Sequence, residues 1–265
     1  MKIQYCSDLH LEFHENQEFL KSNPLKPKGE ILLLAGDIIP FAIMHKADDF
    51  FDYVADHFET IYWLPGNHEY YSSDIAEYCE LKVKPIRSNV FLLNNTVIEK
   101  ANIRLVFSIL WSHISQLNQW AVQQHISDFH AIKFHNERFL PLHFNELHDK
   151  CLSFLKGELN SSYNGNTVVV THHIPTLLNY PPKFKNSSLN EAFAVELSDF
   201  IETLKIDYWI FEHHHHNSDA FIIGNANMRT NQLGYVRNNE NVGFDVESCI
   251  ELNDFDIHIN KVNFA

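Results

Sequence analysis

The sequence predicts an α/β fold with parallel strands, and three observations predict it. The runs KIQYC (2–6), ILLLA (31–35) and IYWL (61–64) are short, apolar and bounded by polar residues or glycine, as buried strands are. Between the second and third lies HKADDFFDYVADHF (45–58), with Phe50, Phe51, Val54 and Phe58 at helical spacing. A buried strand, a helix and a further buried strand form the pattern that crosses over between parallel strands.

The later elements follow in order. IRLVFSIL (103–110) reads as a strand. From Trp111 to about Leu142 the pattern turns irregular and rich in Gln, His and Asn, which predicts an excursion with short helices and the character of a lid. HFNELHDKCLSFLKGEL (143–159) is a predicted helix with Phe144, Leu147, Cys151, Phe154 and Leu155 on one face. TVVVT (167–171) is the next strand, and SLNEAFAVELSDFIETL (188–204) reads as an amphipathic helix with Ser188 as N-cap. DYWIF (207–211) is a strand that runs straight into four histidines, and from Ala220 short strands and Asn/Gly turns look antiparallel. No repeat or long linker divides the chain, so residues 1–265 read as a single domain carrying the excursion at about 111–142.

Composition narrows the function. Hydrophobic residues are 45% of the chain and aromatics 13%, enough for a sizeable core and too many for disorder. The formal charge of −14, from 34 acidic and 20 basic residues, opposes nucleic-acid binding, which rests on Lys and Arg meeting phosphates. It leaves room for a small phosphorylated substrate held by cations. No apolar run approaches the roughly 18–20 residues of a membrane span. The opening MKIQYCSDLHLEF has no apolar signal core, and Cys6, Cys79, Cys151 and Cys249 form no CxxC pair. The expectation is therefore a cytoplasmic protein with reduced thiols, no zinc ribbon and no membrane partner. Its oligomeric state is left open.

Chemistry gathers after the strands. Asp8 and His10 follow the first, Asp37 the second, Asn67 and His68 the third. His172 and His173 follow TVVVT, and His213 to His216 follow DYWIF. Ligands bind at the carboxyl ends of strands in such sheets, and carboxylate, imidazole and amide oxygen are the donors of a metal site. Asp8 and His10, two apart, point the same way in an extended segment. The same rule selects His213 and His215, with His214 and His216 as the alternative register. Gly36 and Gly66 each precede a candidate ligand and let the backbone turn close to a metal. In the excursion His113, Asp128, His130 and His135 are candidates for substrate contact, while His125, His143, His148 and His258 read as surface and Cys6 as core.

The series DLH, GDI, GNHE, THH and HHH resembles the calcineurin-like metallophosphoesterases, whose pattern is D-x-H, G-D, G-N-H-D/E, a lone or doubled H, then G-H-x-H. The resemblance spans residues 7 to 216, about four-fifths of the chain. The phrases VVVTHHIPT, LNEAFAVELSD and NQLGY are similar to those of small bacterial members. It implies two mixed sheets packed as a sandwich flanked by helices, the αββα fold. It implies a hydrolase with two divalent or trivalent ions, Mn, Fe or Zn, acting on a phosphomonoester or phosphodiester. Asp8, His10 and His215 would hold one ion, Asn67, His172 and His213 the other, and Asp37 would bridge them. A hydroxide bridging the ions would attack phosphorus, and His68 would stabilise the developing charge or protonate the departing oxygen. The sequence departs from the pattern at Glu212, which stands where the family has glycine. This residue could crowd the second ion or accept a hydrogen bond from a ligand histidine. It is also the feature that would suit a non-catalytic scaffold binding a protein partner. His173 has either a structural or a functional role.

Overall fold

Alternation of side chains across the pleat sorts the strands into layers. The computed structural model describes residues 1–79 and 82–252. Strands β1 (Lys2–Cys6), β2 (Ile31–Ala35), β3 (Thr60–Leu64), β4 (Val83–Pro85) and β5 (Val90–Leu93) lie in one sheet. β6 (Thr96–Lys100) and β7 (Ile103–Ser108) begin a second, and β8 (Lys133–Phe134) pairs only with β9 (Glu137–Arg138). β10 (Asn166–Thr171), β11 (Tyr208–Ile210), β12 (Phe221–Ile223) and β13 (Ala226–Arg229) complete the second sheet, and β14 (Cys249–Glu251) returns to the first. The strand orders are β14-β1-β2-β3-β5-β4 and β12-β13-β11-β10-β7-β6. The inner strands run parallel in each sheet, and β14, β4, β12 and β6 run antiparallel at the edges.

Between the sheets, Ile3, Tyr5, Leu33 and Leu64 of the first meet Leu105, Phe107, Val168 and Ile210 of the second. The alternate residues face outward. Leu32, Leu34 and Trp63 pack under Leu20 of helix α1 (His14–Ser22) and under Phe51 and Val54 of α2 (Asp48–His57). Fully burying one side chain such as Phe51 contributes roughly 1.5–3 kcal/mol. The excursion carries α3 (Gln119–His125) and α4 (Asp128–Ala131) and has a core of its own, with Trp111, Ile114, Val122, Phe129 and Phe139 closing on Phe144. Phe144 belongs to α5 (Pro141–Leu159), whose Leu155 and Leu159, with Ile201 of α6 (Ser198–Glu202), cover Val106, Val169 and Trp209. The result is the four-layered αββα sandwich. Among the described residues no helix is long and apolar enough to cross a membrane.

Three expectations are corrected. Residues 188–204 are not one helix: short helical turns at Asn190–Ala192 and Ser198–Glu202 flank an extended segment that bridges to Ile174. The Glu196 carboxylate fixes that path by accepting from Thr176 Oγ1 and from the backbone of Leu177 and Ser198. Ser188 therefore caps nothing there. The C-terminal strands are only partly antiparallel, because β13 lies parallel to β11. His148 is buried, its Nδ1–H donating to the Trp111 carbonyl at 2.6 Å, because α5 turns that face toward the excursion. His258 lies outside the described residues.

Candidate metal centre

At the carboxyl ends of β1, β2, β3, β10 and β11 the chain leaves the sheets and brings its donors to one place. Asp8, His10, Asp37 and His215 form one cluster of donor atoms, and Asp37, His172 and His213 form a second. Asp37 belongs to both. Asn67 Oδ1 joins the second cluster, 3.2 Å from His172 Nε2. The backbone there is strained rather than extended. Asp8, His10, Asp37, His213 and His215 all have positive φ, of 50°, 45°, 55°, 89° and 50°, a region that costs a non-glycine residue of order 1–3 kcal/mol. His213 and His215 thus face the cluster together, as the period of two selects, but through left-handed turns and not through an extended strand. A Cβ on Gly66 would overlap the Asp37 carboxylate and the His172 ring, so this turn packs directly against the donors.

Hydrogen bonding sets the tautomers. Nδ1–H of His10 donates to Glu12 Oε1 at 3.1 Å, and that of His215 to Glu240 Oε2 at 2.7 Å. Nδ1–H of His172 donates to the Ala35 carbonyl at 3.0 Å, and Nε2–H of His213 to the Ala192 carbonyl at 3.4 Å. With their outer nitrogens engaged, the inner ones face each other, His10 Nε2 to His215 Nε2 at 2.9 Å and His172 Nε2 to His213 Nδ1 at 3.1 Å. Two lone pairs that close need a cation or a proton between them. Asp8 Oδ1 is fully buried and faces His215 Nε2 at 3.2 Å. The donor set fits metal ions, and these Asp/His clusters could hold them.

Without ions, protons take those places. Burial works to lower His172, but the charge and hydrogen bond of Asp37 outweigh it and lift the ring to about 10. Burial likewise opposes His215, and the bonds to Asp8 and Glu240 lift it to about 9. Their partners are lowered by burial, His10 with the help of the neighbouring His68 charge and His213 with that of His173. Each imidazole pair therefore holds one proton. The Asp37 carboxyl, despite burial, is held well below the usual range by His172 and His68.

A second ring of groups surrounds the donors. Glu12 Oε1 also accepts from His68 Nδ1 at 3.2 Å, and His68 Nε2 lies 3.4 Å from the Tyr235 hydroxyl. Glu69 accepts from the backbone of Asp37, Ile38 and Gly66 and from the Trp63 indole, clamping two ligand loops together. Glu12 continues the Asp8–His10 spacing of two and was visible by that signal. Tyr235 and Glu240 had none.

The remaining candidates divide. Asp128 is buried and its Oδ1 accepts from Asn67 Nδ2 at 2.7 Å and from the Tyr71 hydroxyl at 2.8 Å. It thereby orients the Asn67 amide with its oxygen toward His172. His173 is buried with its ring 4.3 Å from that of His213, and its Nδ1 accepts from the Ser112 backbone. His113 is exposed, rests against His148 and stands apart from the cluster, because the excursion's core turns it outward. His130 and His135 are not brought to the cluster either, and both rings are exposed. Glu212 neither crowds the donors nor bonds a histidine. Its buried carboxyl accepts from the Asn231 backbone at 3.2 Å, and burial and the charge of Asp8 push it well up. His214 reaches Gln232 and His216 is exposed, so the alternative register puts neither ring in the clusters.

Residues 1–217 match the family model for calcineurin-like phosphoesterase. A curated relative, the uncharacterized protein L509 of Acanthamoeba polyphaga mimivirus, is 32% identical over 276 residues, covering 90% of this chain and 94% of that protein. Among solved structures, the phosphopantetheinyl hydrolase PptH from Mycobacterium tuberculosis is similar at a TM-score of 0.66 and 16% identity, over 89% of this chain and 90% of that one. A dimetal phosphatase from Danio rerio aligns at a TM-score of 0.46 and 12% identity, over 88% of this chain and 87% of that one. At these identities the structural likeness to PptH is one of fold.

Proposed function

The chain belongs to the calcineurin-like phosphoesterase family, and from that premise we propose that it hydrolyses a small phosphorylated molecule, a phosphomonoester or phosphodiester, with two bound metal ions. The observation that supports this most is the pair of imidazole contacts. Four histidines, locked at their outer nitrogens, aim inner lone pairs at two places that share Asp37. Asp8, His10 and His215 would hold one ion, and Asn67, His172 and His213 the other. The mixed carboxylate, imidazole and amide set suits Mn, Fe or Zn. Such ions, when bound, supply Lewis acidity to a water and to the phosphoryl oxygens.

The chain's own groups do the rest. Burial opposes the charge on His68, but Asp37 and Glu12 raise the ring above its ordinary value, which favours its protonated form. Glu12 takes the Nδ1 side, which leaves Nε2–H facing the Tyr235 hydroxyl and the open cavity. His68 is therefore placed to give that proton to the departing ester oxygen. Tyr71 stacks on the ring at 4.1 Å between centroids and keeps it in this orientation. The scaffold alternative rested on Glu212, which faces Asn231 and leaves the donors unobstructed.

Elemental analysis of the purified protein should find bound metal. Turnover of 4-nitrophenyl phosphate and bis(4-nitrophenyl) phosphate, each with Mn, Fe or Zn, should exceed that of His68→Ala by about 10²–10⁴-fold. If neither ester, nor any of a panel of nucleotides, is hydrolysed above that control, the reading fails.

A further inference from the structure

Two cavities adjoin at His68 and Tyr71, beside the candidate centre. One, of about 390 Å³, extends from Asp37, Asn67 and His213 to Tyr180, Phe184, Leu189 and Phe193. The other, of about 540 Å³, lies beyond His68 and Tyr71 and reaches Phe13, Ile43 and Arg237. His68, Tyr71, Ser127 and Tyr235 line both and form the ridge between them.

The two cavities differ in chemistry. Away from the donors the first is walled mainly by aromatic and aliphatic side chains, with Ser187 and Asn190 among them; among the described residues no lysine or arginine lines it, although Lys183 Nζ stands 4.6 Å over the Phe184 ring. That wall favours an uncharged apolar group. The second contains the Arg237 guanidinium, stacked 4.6 Å over the Phe13 ring and 5.6 Å from that of Tyr235. Stacking uses the faces of the guanidinium and leaves its N–H edges free. Among the described residues no carboxylate pairs with it. Glu12 also lines this cavity; its Oε1 is engaged by His10 and His68, its Oε2 has no hydrogen-bond partner among the described residues, and the anionic arm therefore has to reach Arg237 on the side away from it.

A phosphomonoester has one arm and leaves one cavity unused. A phosphodiester has two. We propose that the substrate is an unsymmetrical phosphodiester, with an apolar arm seated against Tyr180, Phe184 and Phe193 and a second arm bearing an anionic group that meets Arg237. This rests on the phosphoesterase reading above. Hydrolysis breaks one P–O ester bond: phosphorus gains the hydroxyl of water, and the departing oxygen keeps the bonding pair and takes the other hydrogen. The products are a monoester and an alcohol.

Inert analogues test the inference by binding, measured calorimetrically on the metal-loaded full chain. 2-Carboxyethyl(phenyl)phosphinate carries both arms, diphenylphosphinate lacks the anion, and phenylphosphonate lacks the second arm. The first should bind roughly ten-fold more tightly than either of the others. Arg237→Ala should remove that preference and Arg237→Lys should keep part of it, while Phe184→Ala should weaken all three about five-fold. Equal binding of the three, or a preference that survives Arg237→Ala, overturns the inference. Hydrolysis of the 4-nitrophenyl esters separates the two levels. If they are hydrolysed and the preference is missing, only the substrate assignment falls, and if neither they nor any of the nucleotide panel is hydrolysed the phosphoesterase reading falls with it.

Discussion

Ions bound as proposed would displace protons from the two places between imidazoles, and this gives the candidate centre a measurable pH signature. Without bound ions, the Asp37 carboxylate lifts His172 to about 10 and the bonds to Asp8 and Glu240 lift His215 to about 9, both above the ordinary 6.5 against the effect of burial. The stability these protons contribute is fully present below pH 6.5 and is lost as the pH rises through about 9 and 10. The metal-free protein should therefore lose melting temperature between pH 7 and pH 10, and the loaded protein should lose less. Loading at pH 7 should release about two protons, read from calorimetry in buffers of different ionisation enthalpy. Release of none would remove the ions from these places. At this scale the sequence was informative, because Asp8, His10, Asp37, Asn67 and the histidines stand in short strings at strand ends. Glu240 was silent: it reaches His215 across 25 residues, and no local spacing marks a carboxylate held by chain folding alone.

Elements position these groups through turns with no spare room. Gly66→Ala would drive a Cβ into Asp37 and His172. We expect at least a ten-fold loss of metal content and a melting temperature lower by roughly 2–10 °C, from strain of about 1–3 kcal/mol. Unchanged metal content would mean that the turn yields. The segment 193–197 shows where element prediction stops. Its apolar spacing is that of a helix, yet pairing with Ile174 and the Glu196 bonds hold it extended, and such tertiary partners leave no mark on local periodicity. Burial opposes ionisation of Glu196, but its bonds to Ser198, Leu177 and Thr176 hold the carboxyl below its ordinary 4.5. Its contribution is present above that pH and is lost on further acidification. Glu196→Ala should lower the melting temperature by roughly 2–4 °C at pH 7, corresponding to about 1 kcal/mol for this exposed group, with a smaller difference at pH 3.

The four layers were legible because buried strands write continuous apolar runs and their crossover helices write a period near four. The sheet edges were less so: β4, at the edge of the first sheet, is exposed and ends in proline, and β12, at the edge of the second, keeps only its last residue buried. What no run of residues could show is how residues 231–251 close on the centre beside β1. β14 pairs with β1, the Gly234 backbone donates to the Asp8 carbonyl, and Gln232 accepts from the His215 backbone. A chain ending at residue 230 keeps every candidate ligand and loses this closure. It should bind Mn at least ten-fold more weakly than the full chain in equilibrium dialysis, and equal binding would refute the dependence. The same closure acts as a clock during synthesis. At roughly 5–20 residues per second, Asp8 leaves the ribosome on the order of 10–50 s before Glu240. For that interval the nascent chain has only part of the proposed donor set in place, and an ion held as proposed would be captured among the last events of its maturation.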